Sequence, residues 1–173
     1  MIVSLEMSVS PNGYIAREDG REDWLSSDNW KEFLRRASST RNIVMGRNTY
    51  ELVTELYPDY NFDNVQCDKK IIVSRSMQES PSPDYEVVSS PEAAIEKIKE
   101  LGFEELLLIG GGKLNTSFLE RGLVDQITMK YEPHIIGRGR VVMSPGDFEY
   151  KLKLKRVDEK PSGHVVITYE VMK

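Results

Sequence analysis

Apolar and polar residues follow two different rhythms along this chain, and the elements can be read from where one gives way to the other. Residues 2–7 carry Ile2, Val3 and Leu5 in an alternating, β-rich pattern that predicts a first strand. The turn Ser10-Pro11-Asn12-Gly13 follows, because proline presets one dihedral and Asn-Gly tolerates positive φ. Tyr14-Ile15-Ala16 resumes an extended path, and residues 18–22 form a charged loop that either covers a site or is plain solvated surface. Between 29 and 38, Trp30, Phe33, Leu34 and Ala37 recur at helical spacing behind Ser27 and Asp28, both good N-cap types. Arg41 to Met45 reads as the next strand, and Gly46-Arg47-Asn48-Thr49-Tyr50-Glu51 as the opening of a second helix. A long polar loop spans 58–68, and Lys69 to Val73 is a strand that ends at Ser74-Arg75-Ser76. Tyr85 to Val88 is a short strand. Ser90-Pro91 then caps a helix through Ala94, Ile95, Ile98 and Leu101, which stops at Gly102.

Leu106 to Ile109 is apolar on both faces, as expected of a strand inside a covered sheet, and it runs into Gly110-Gly111-Gly112-Lys113-Leu114. A helix follows over 115–120. Strand and helix thus alternate from 28 to 120, the pattern of a sheet with helices on its faces. The last third is different. Val124 to Tyr131 is a strand, 133–140 a loop with Gly137 and Gly139, and Lys151 to Lys155 and Val165 to Val171 alternate strictly. Alternation means one wet face, so these are antiparallel strands at a sheet edge. Lys151, Lys153 and Lys155 are a solvated face that discourages edge-to-edge pairing rather than a basic binding patch. The expected architecture is three-layer α/β: a mixed, mostly parallel central sheet, helices on both faces and antiparallel C-terminal strands.

Composition narrows the function classes. A chain of 173 residues fits one domain, 1–173. Its formal charge of -5, from 28 acidic and 23 basic residues mixed along the sequence, offers no field to hold nucleic acid or an anionic membrane. No run approaches the ~20 apolar residues of a membrane span. Cys67 is the only cysteine, which excludes an internal disulfide and a cysteine-rich zinc site and fits a reducing cytoplasm. His134 and His164, the only histidines, have no partner at metal-ligand spacing, so no metal is expected. Lys113 is followed by Leu114, not Ser or Thr, so the glycine run is not a P-loop, and no Gly-x-Gly-x-x-Gly follows the first strand.

The remaining candidate chemistry sits where strands end. Glycines let a backbone approach a bound group closely, and the free N–H groups of a helix start attract anions. Gly110, Gly111 and Gly112 followed by Lys113 suit that task, yet would equally serve a tight connection that holds no ligand. Arg47 and Arg75 recur at two further strand ends, and the planar guanidinium fork suits phosphate. Asp28 is open to two readings, helix cap or catalytic acid.

Together Gly46-Arg47-x-Thr49, Ser74-Arg75-Ser76 and Ile109-Gly110-Gly111-Gly112, in that order, resemble the dihydrofolate reductase fold. The chain is similar in particular to the C-terminal reductase domain of riboflavin-biosynthesis deaminase/reductases. The likeness begins at Ser10-Pro11-Asn12-Gly13-Tyr14-Ile15-Ala16 and ends near Glu132-Pro133-His134-Ile135-Ile136-Gly137-x-Gly139. It implies an NADPH-dependent reductase. Arg47, Thr49, Ser74 and Arg75 would bind the adenosine side of NADPH, Gly110, Gly111, Gly112, Lys113 and Leu114 the pyrophosphate and nicotinamide, and Ala16 with Ile15 would line the nicotinamide pocket. It also implies a cis peptide between Gly110 and Gly111. On the substrate side it implies Asp28 as the acid near the first helix, with Asn12, Trp24 and Thr128 against a small heterocyclic or imine substrate. Riboflavin-pathway reductases show Glu-Gly-Gly where this chain has Ile109-Gly110-Gly111, which leaves their ribosylamino-pyrimidine and a pterin both open as substrate. The resemblance further implies a homodimer through the C-terminal strands. The alternative is a nucleotide-binding module that kept the fold and lost turnover.

Overall fold

The computed structural model describes residues 1–59 and 61–173; Tyr60, in the polar loop expected over 58–68, lies outside them. The elements in chain order are β1 (Ile2–Val9), β2 (Tyr14–Arg17), α1 (Ser27–Thr40), β3 (Asn42–Gly46), α2 (Arg47–Leu56), a 3-10 turn at Phe62–Asn64, β4 (Lys69–Val73) and β5 (Tyr85–Val88). Then come α3 (Pro91–Glu100), β6 (Glu105–Leu108), α4 (Gly112–Glu120), β7 (Gln126–Tyr131), β8 (Gly139–Val141), β9 (Lys151–Glu159) and β10 (Val165–Met172). Eight strands form one sheet in the order β5-β4-β3-β6-β1-β7-β10-β9. The strands from β5 to β7 in that order are parallel neighbours, and β10 and β9 add antiparallel at one edge.

Strand alternation sorts the apolar residues into two cores. Val44, Ile71, Leu106 and Leu108 face α3 and α4 through Ala94, Ile98, Phe118 and Leu119. Their neighbours Ile43, Met45, Ile72, Leu107 and Ile109 face the opposite layer, where Ala37, Trp30 and Phe33 of α1 meet Tyr50 and Val53 of α2. Each large side chain so buried stabilises the fold by about 1.5–3 kcal/mol, which is why the central strands read as unbroken apolar runs. The α/β architecture expected from the sequence is the one observed.

The differences are local. Helix α1 begins one residue beyond Ser26, whose hydroxyl accepts the Asn29 N–H, so neither Ser27 nor Asp28 is the cap. Helix α4 starts at Gly112, three residues before the expected Asn115, because the last glycine of the run already adopts helical geometry. Gly139 and Arg140, expected as loop, belong with Val141 to β8, which pairs antiparallel with β2 in a small second sheet. On β9, Leu152, Leu154 and Val157 are 40%, 56% and 54% exposed, so this edge strand shows apolar side chains to solvent. No helix among the described residues is long and apolar enough to cross a membrane, and no group of His, Cys, Asp and Glu among them is placed to hold a metal.

Candidate active site

Parallel strands β1, β3, β4 and β6 end on the same side of the sheet, and a cleft of about 950 Å³ opens there, the usual ligand position in open α/β sheets. Met7 and Ser8 come from β1, Gly46 ends β3 and Arg47 to Thr49 follow it, Val73 ends β4 and Ser74 to Ser76 follow it, and Gly111 to Leu114 follow β6. Ile15 and Ala16 of β2 complete this wall. Of the residues expected at a cofactor, Ala16, Arg47, Thr49, Ser74, Arg75, Gly111, Gly112, Lys113 and Leu114 therefore meet in one space. Gly110 lies just behind it: its carbonyl accepts the Gly46 N–H at 2.8 Å, its φ is 92°, and its peptide to Gly111 is cis. A Cβ at Gly112 would stand 2.4 Å from the Val141 carbonyl oxygen, so backbone crowding alone requires glycine there.

Helix capping distinguishes the two helices that follow the glycine-bearing strand ends. Ser26 and Ser90 cap α1 and α3 with their side chains. Helices α2 and α4 instead start behind Gly46 and Gly111, with no side-chain cap. Their first N–H groups are therefore left for a ligand, and helix starts of this kind favour anions. Five cations line the same cleft: Arg47, Arg75, Lys113, Arg140 and Lys130. Arg47 stands 3.6 Å from Glu51, while Arg75 and Lys113 form no ion pair among the described residues. Arg140 lies on β8 opposite Ala16, and only the unforeseen pairing of β8 with β2 brings it here.

The residues expected on the substrate side are placed elsewhere. Asp28 is outside the cleft lining, and its Oδ1 accepts from Lys31 at 3.3 Å. Asn12 shapes the turn after β1, accepting from Ser10 Oγ and donating to the Ile136 carbonyl. Trp24 is buried and stacks on His134, and Thr128 hydrogen-bonds Thr168 across the sheet. None of the three lines the cleft.

What does line that half is a wall of Leu25, Trp30, Phe33, Leu52, Val53 and Tyr57 over a polar floor. On the floor, Lys130 Nζ pairs with Glu6 Oε1 at 2.6 Å, and Arg36 Nε donates to Glu6 Oε2 at 3.0 Å. Beside them Ser8 Oγ donates to Asn29 Oδ1 at 2.6 Å, and Asn29 Nδ2 and Ser26 Oγ donate to the buried Glu132 carboxylate at 2.8 and 2.9 Å. The signal in the sequence was faint: Ser4, Glu6 and Ser8 are polar alternates of Val3, Leu5 and Val9 on a strand that is central in the sheet. Glu22, in the loop expected as cover or surface, also lines the cleft, and burial pushes its carboxyl up to about 7.

Comparison with known proteins gives the family and the fold. The uncharacterized protein YyaP of Bacillus subtilis (strain 168) is 25% identical over 177 residues, covering 96% of this chain and 93% of its own. A pyrimidine reductase-like protein from Corynebacterium diphtheriae NCTC superposes with a TM-score of 0.78 at 15% identity, over 99% of this chain and 92% of that one. The diaminohydroxyphosphoribosylaminopyrimidine deaminase/5-amino-6-(5-phosphoribosylamino)uracil reductase of Thermotoga maritima superposes with a TM-score of 0.72 at 17% identity, over 99% of this chain and 56% of that one. The fold is dihydrofolate reductase-like, as the strand-end motifs implied. Residues 1–166 match the family model described as the RibD C-terminal domain, and the chain belongs to that family.

Proposed function

We propose that this protein is an NADPH-dependent reductase of a small heterocyclic or imine substrate. The carrying observation is the meeting of Arg47, Arg75, Lys113 and Arg140 with two helix starts that lack side-chain caps, beside an apolar wall in the same cleft. A dinucleotide phosphate needs that combination, because its phosphates take charge-assisted hydrogen bonds and backbone N–H groups. Arg47, Thr49, Ser74 and Arg75 would hold the adenosine side, and Gly111, Gly112, Lys113 and Leu114 the pyrophosphate. Ala16 and Ile15 would border the nicotinamide, which supplies a hydride when bound. Trp30, Phe33, Leu52 and Val53 suit the flat face of an aromatic or partly reduced ring. Ile109 lines the cleft where riboflavin-pathway reductases carry glutamate, which favours a substrate other than their ribosylamino-pyrimidine.

The test is NADPH oxidation by the purified protein with 7,8-dihydropterins, dihydrofolate, flavins and ribosylamino-pyrimidines. Oxidation with one of these classes is the expected result. The displacement of Asp28 from the cleft favours a second reading, a nucleotide-binding module without turnover, and NADPH binding with no oxidation across the panel would support it. The exposed apolar face of β9 further supports a homodimer formed through the C-terminal strands.

A further inference from the structure

Reducing a carbon–nitrogen double bond takes a hydride and a proton, so the cleft must hold a group able to give the proton up. Its lining carboxyls are Glu6, Glu22 and Asp23. Glu6 is held at both oxygens, by Lys130 and by Arg36. Asp23 pairs with Arg17 at 2.6 Å. Arg17 beside Asp23 favours that carboxyl's ionised form, and Glu6 has both oxygens already engaged.

Glu22 is different. The neighbouring cations are already engaged, Arg17 with Asp23 and Arg21 with Asp19. Its backbone is anchored, since its N–H meets the Tyr57 hydroxyl at 2.8 Å and its carbonyl accepts the Leu25 N–H. Its carboxyl has neither an ion pair nor a hydrogen bond among the described residues. The anchors set it between the C-terminal end of α2 and the start of α1, on the side lined by Leu25, Trp30, Leu52 and Tyr57. An apolar border without a cation disfavours the charged form, and a carboxyl that titrates close to working pH is well matched to proton transfer.

We propose that Glu22 is the acid of this cleft and protonates the substrate nitrogen as the adjacent carbon is reduced. The inference rests on the reductase reading above. The carbon of the C=N bond takes the hydride from reduced nicotinamide, and the nitrogen takes the proton from the Glu22 carboxyl. The products are a saturated C–N bond, oxidised nicotinamide and a glutamate carboxylate that regains its proton from water.

The first measurement is carbon-13 NMR of the glutamate carboxyls in the NADPH-bound protein, with Glu22→Gln identifying the resonance. The expected midpoint is about 7, and a midpoint near the ordinary value of about 4.3 would overturn the assignment. The second is NADPH oxidation with a 7,8-dihydropterin and a ribosylamino-pyrimidine. Glu22→Gln is expected to lower kcat about 100-fold or more with the NADPH Kd unchanged, and Glu22→Asp to restore part of the rate with a displaced pH profile. Equal rates for wild type and Glu22→Gln at every pH would sink the proposal. So would a wild-type protein that binds NADPH and oxidises it with neither probe. Failure to bind NADPH would instead remove the reductase reading, and the proton donor with it.

Discussion

Glu22 also leaves a mark on stability that needs no substrate to detect. Its carboxyl is raised from 4.5 to about 7 in the folded protein. Between those values the native state binds more protons than the unfolded chain, so stability falls as pH rises through that window. Below it the effect vanishes, and above it the cost of burying a carboxylate is present in full. Glu22→Gln removes the dependence. Relative to this variant, wild type is expected to lose about 1–3 kcal/mol between pH 5 and pH 8, because a tenfold change in proton affinity is worth about 1.4 kcal/mol and partial exposure discounts it. Urea unfolding at the two pH values measures this, and parallel changes in both proteins would contradict it. Cys67 shows the opposite use of burial: its thiol is pushed up to about 11, which keeps it protonated and poorly reactive.

Among the elements, α1 carries the largest difference between what its sequence suggested and what it does. Its amphipathic stripe was legible because Trp30, Phe33, Leu34 and Ala37 recur locally. Its anchoring was not, because Glu132, which accepts from Ser26 and Asn29, lies more than one hundred residues away in sequence. Asp28 is open in sequence to two readings, helix cap or the acid that the resemblance implies, and only packing decides which side of a helix start faces a cleft. The strand-end motifs were readable for the converse reason: glycine, arginine and serine act within a few residues of their own turn. Arg140 was missed because β8 is three residues long and its partner β2 lies far off in sequence. If Glu132 ties α1 to the sheet, Glu132→Ala leaves three donors unpaired, the Ser26 hydroxyl, the Ser26 N–H and the Asn29 amide. Hydrogen bonds to a charged group are worth about 1.5–3 kcal/mol each, so denaturant unfolding should show a loss of at least about 2 kcal/mol. A loss under about 0.5 kcal/mol would mean that α1 is held by its apolar face alone.

At the scale of the whole molecule, the mixed sheet divides the work. Its parallel half ends at the cleft, and its antiparallel half extends the sheet to β9. The class of fold followed from strand and helix periodicity, but the order β5-β4-β3-β6-β1-β7-β10-β9 could not, since it depends on contacts between distant segments. On β9, Leu152, Leu154 and Val157 lie opposite Val171, Tyr169 and Ile167, so the exposed apolar face continues the face that packs against α3 and α4. A second copy is the occupant we propose for it. Light scattering at micromolar concentration should give the mass of two chains for wild type and of one for Leu154→Glu. A wild-type monomer would refute the dimer.

NADPH is proposed to sit in the cleft on Arg47, Arg75, Lys113, Arg140 and the helix starts at Gly46 and Gly111. Calorimetric titration with NADPH and NADH tests it most directly, on wild type and on Arg75→Ala. Wild type should bind NADPH more tightly than NADH, and Arg75→Ala should narrow the gap by about 1.5–3 kcal/mol, the worth of one charged hydrogen bond. Absence of binding heat with either dinucleotide would contradict it.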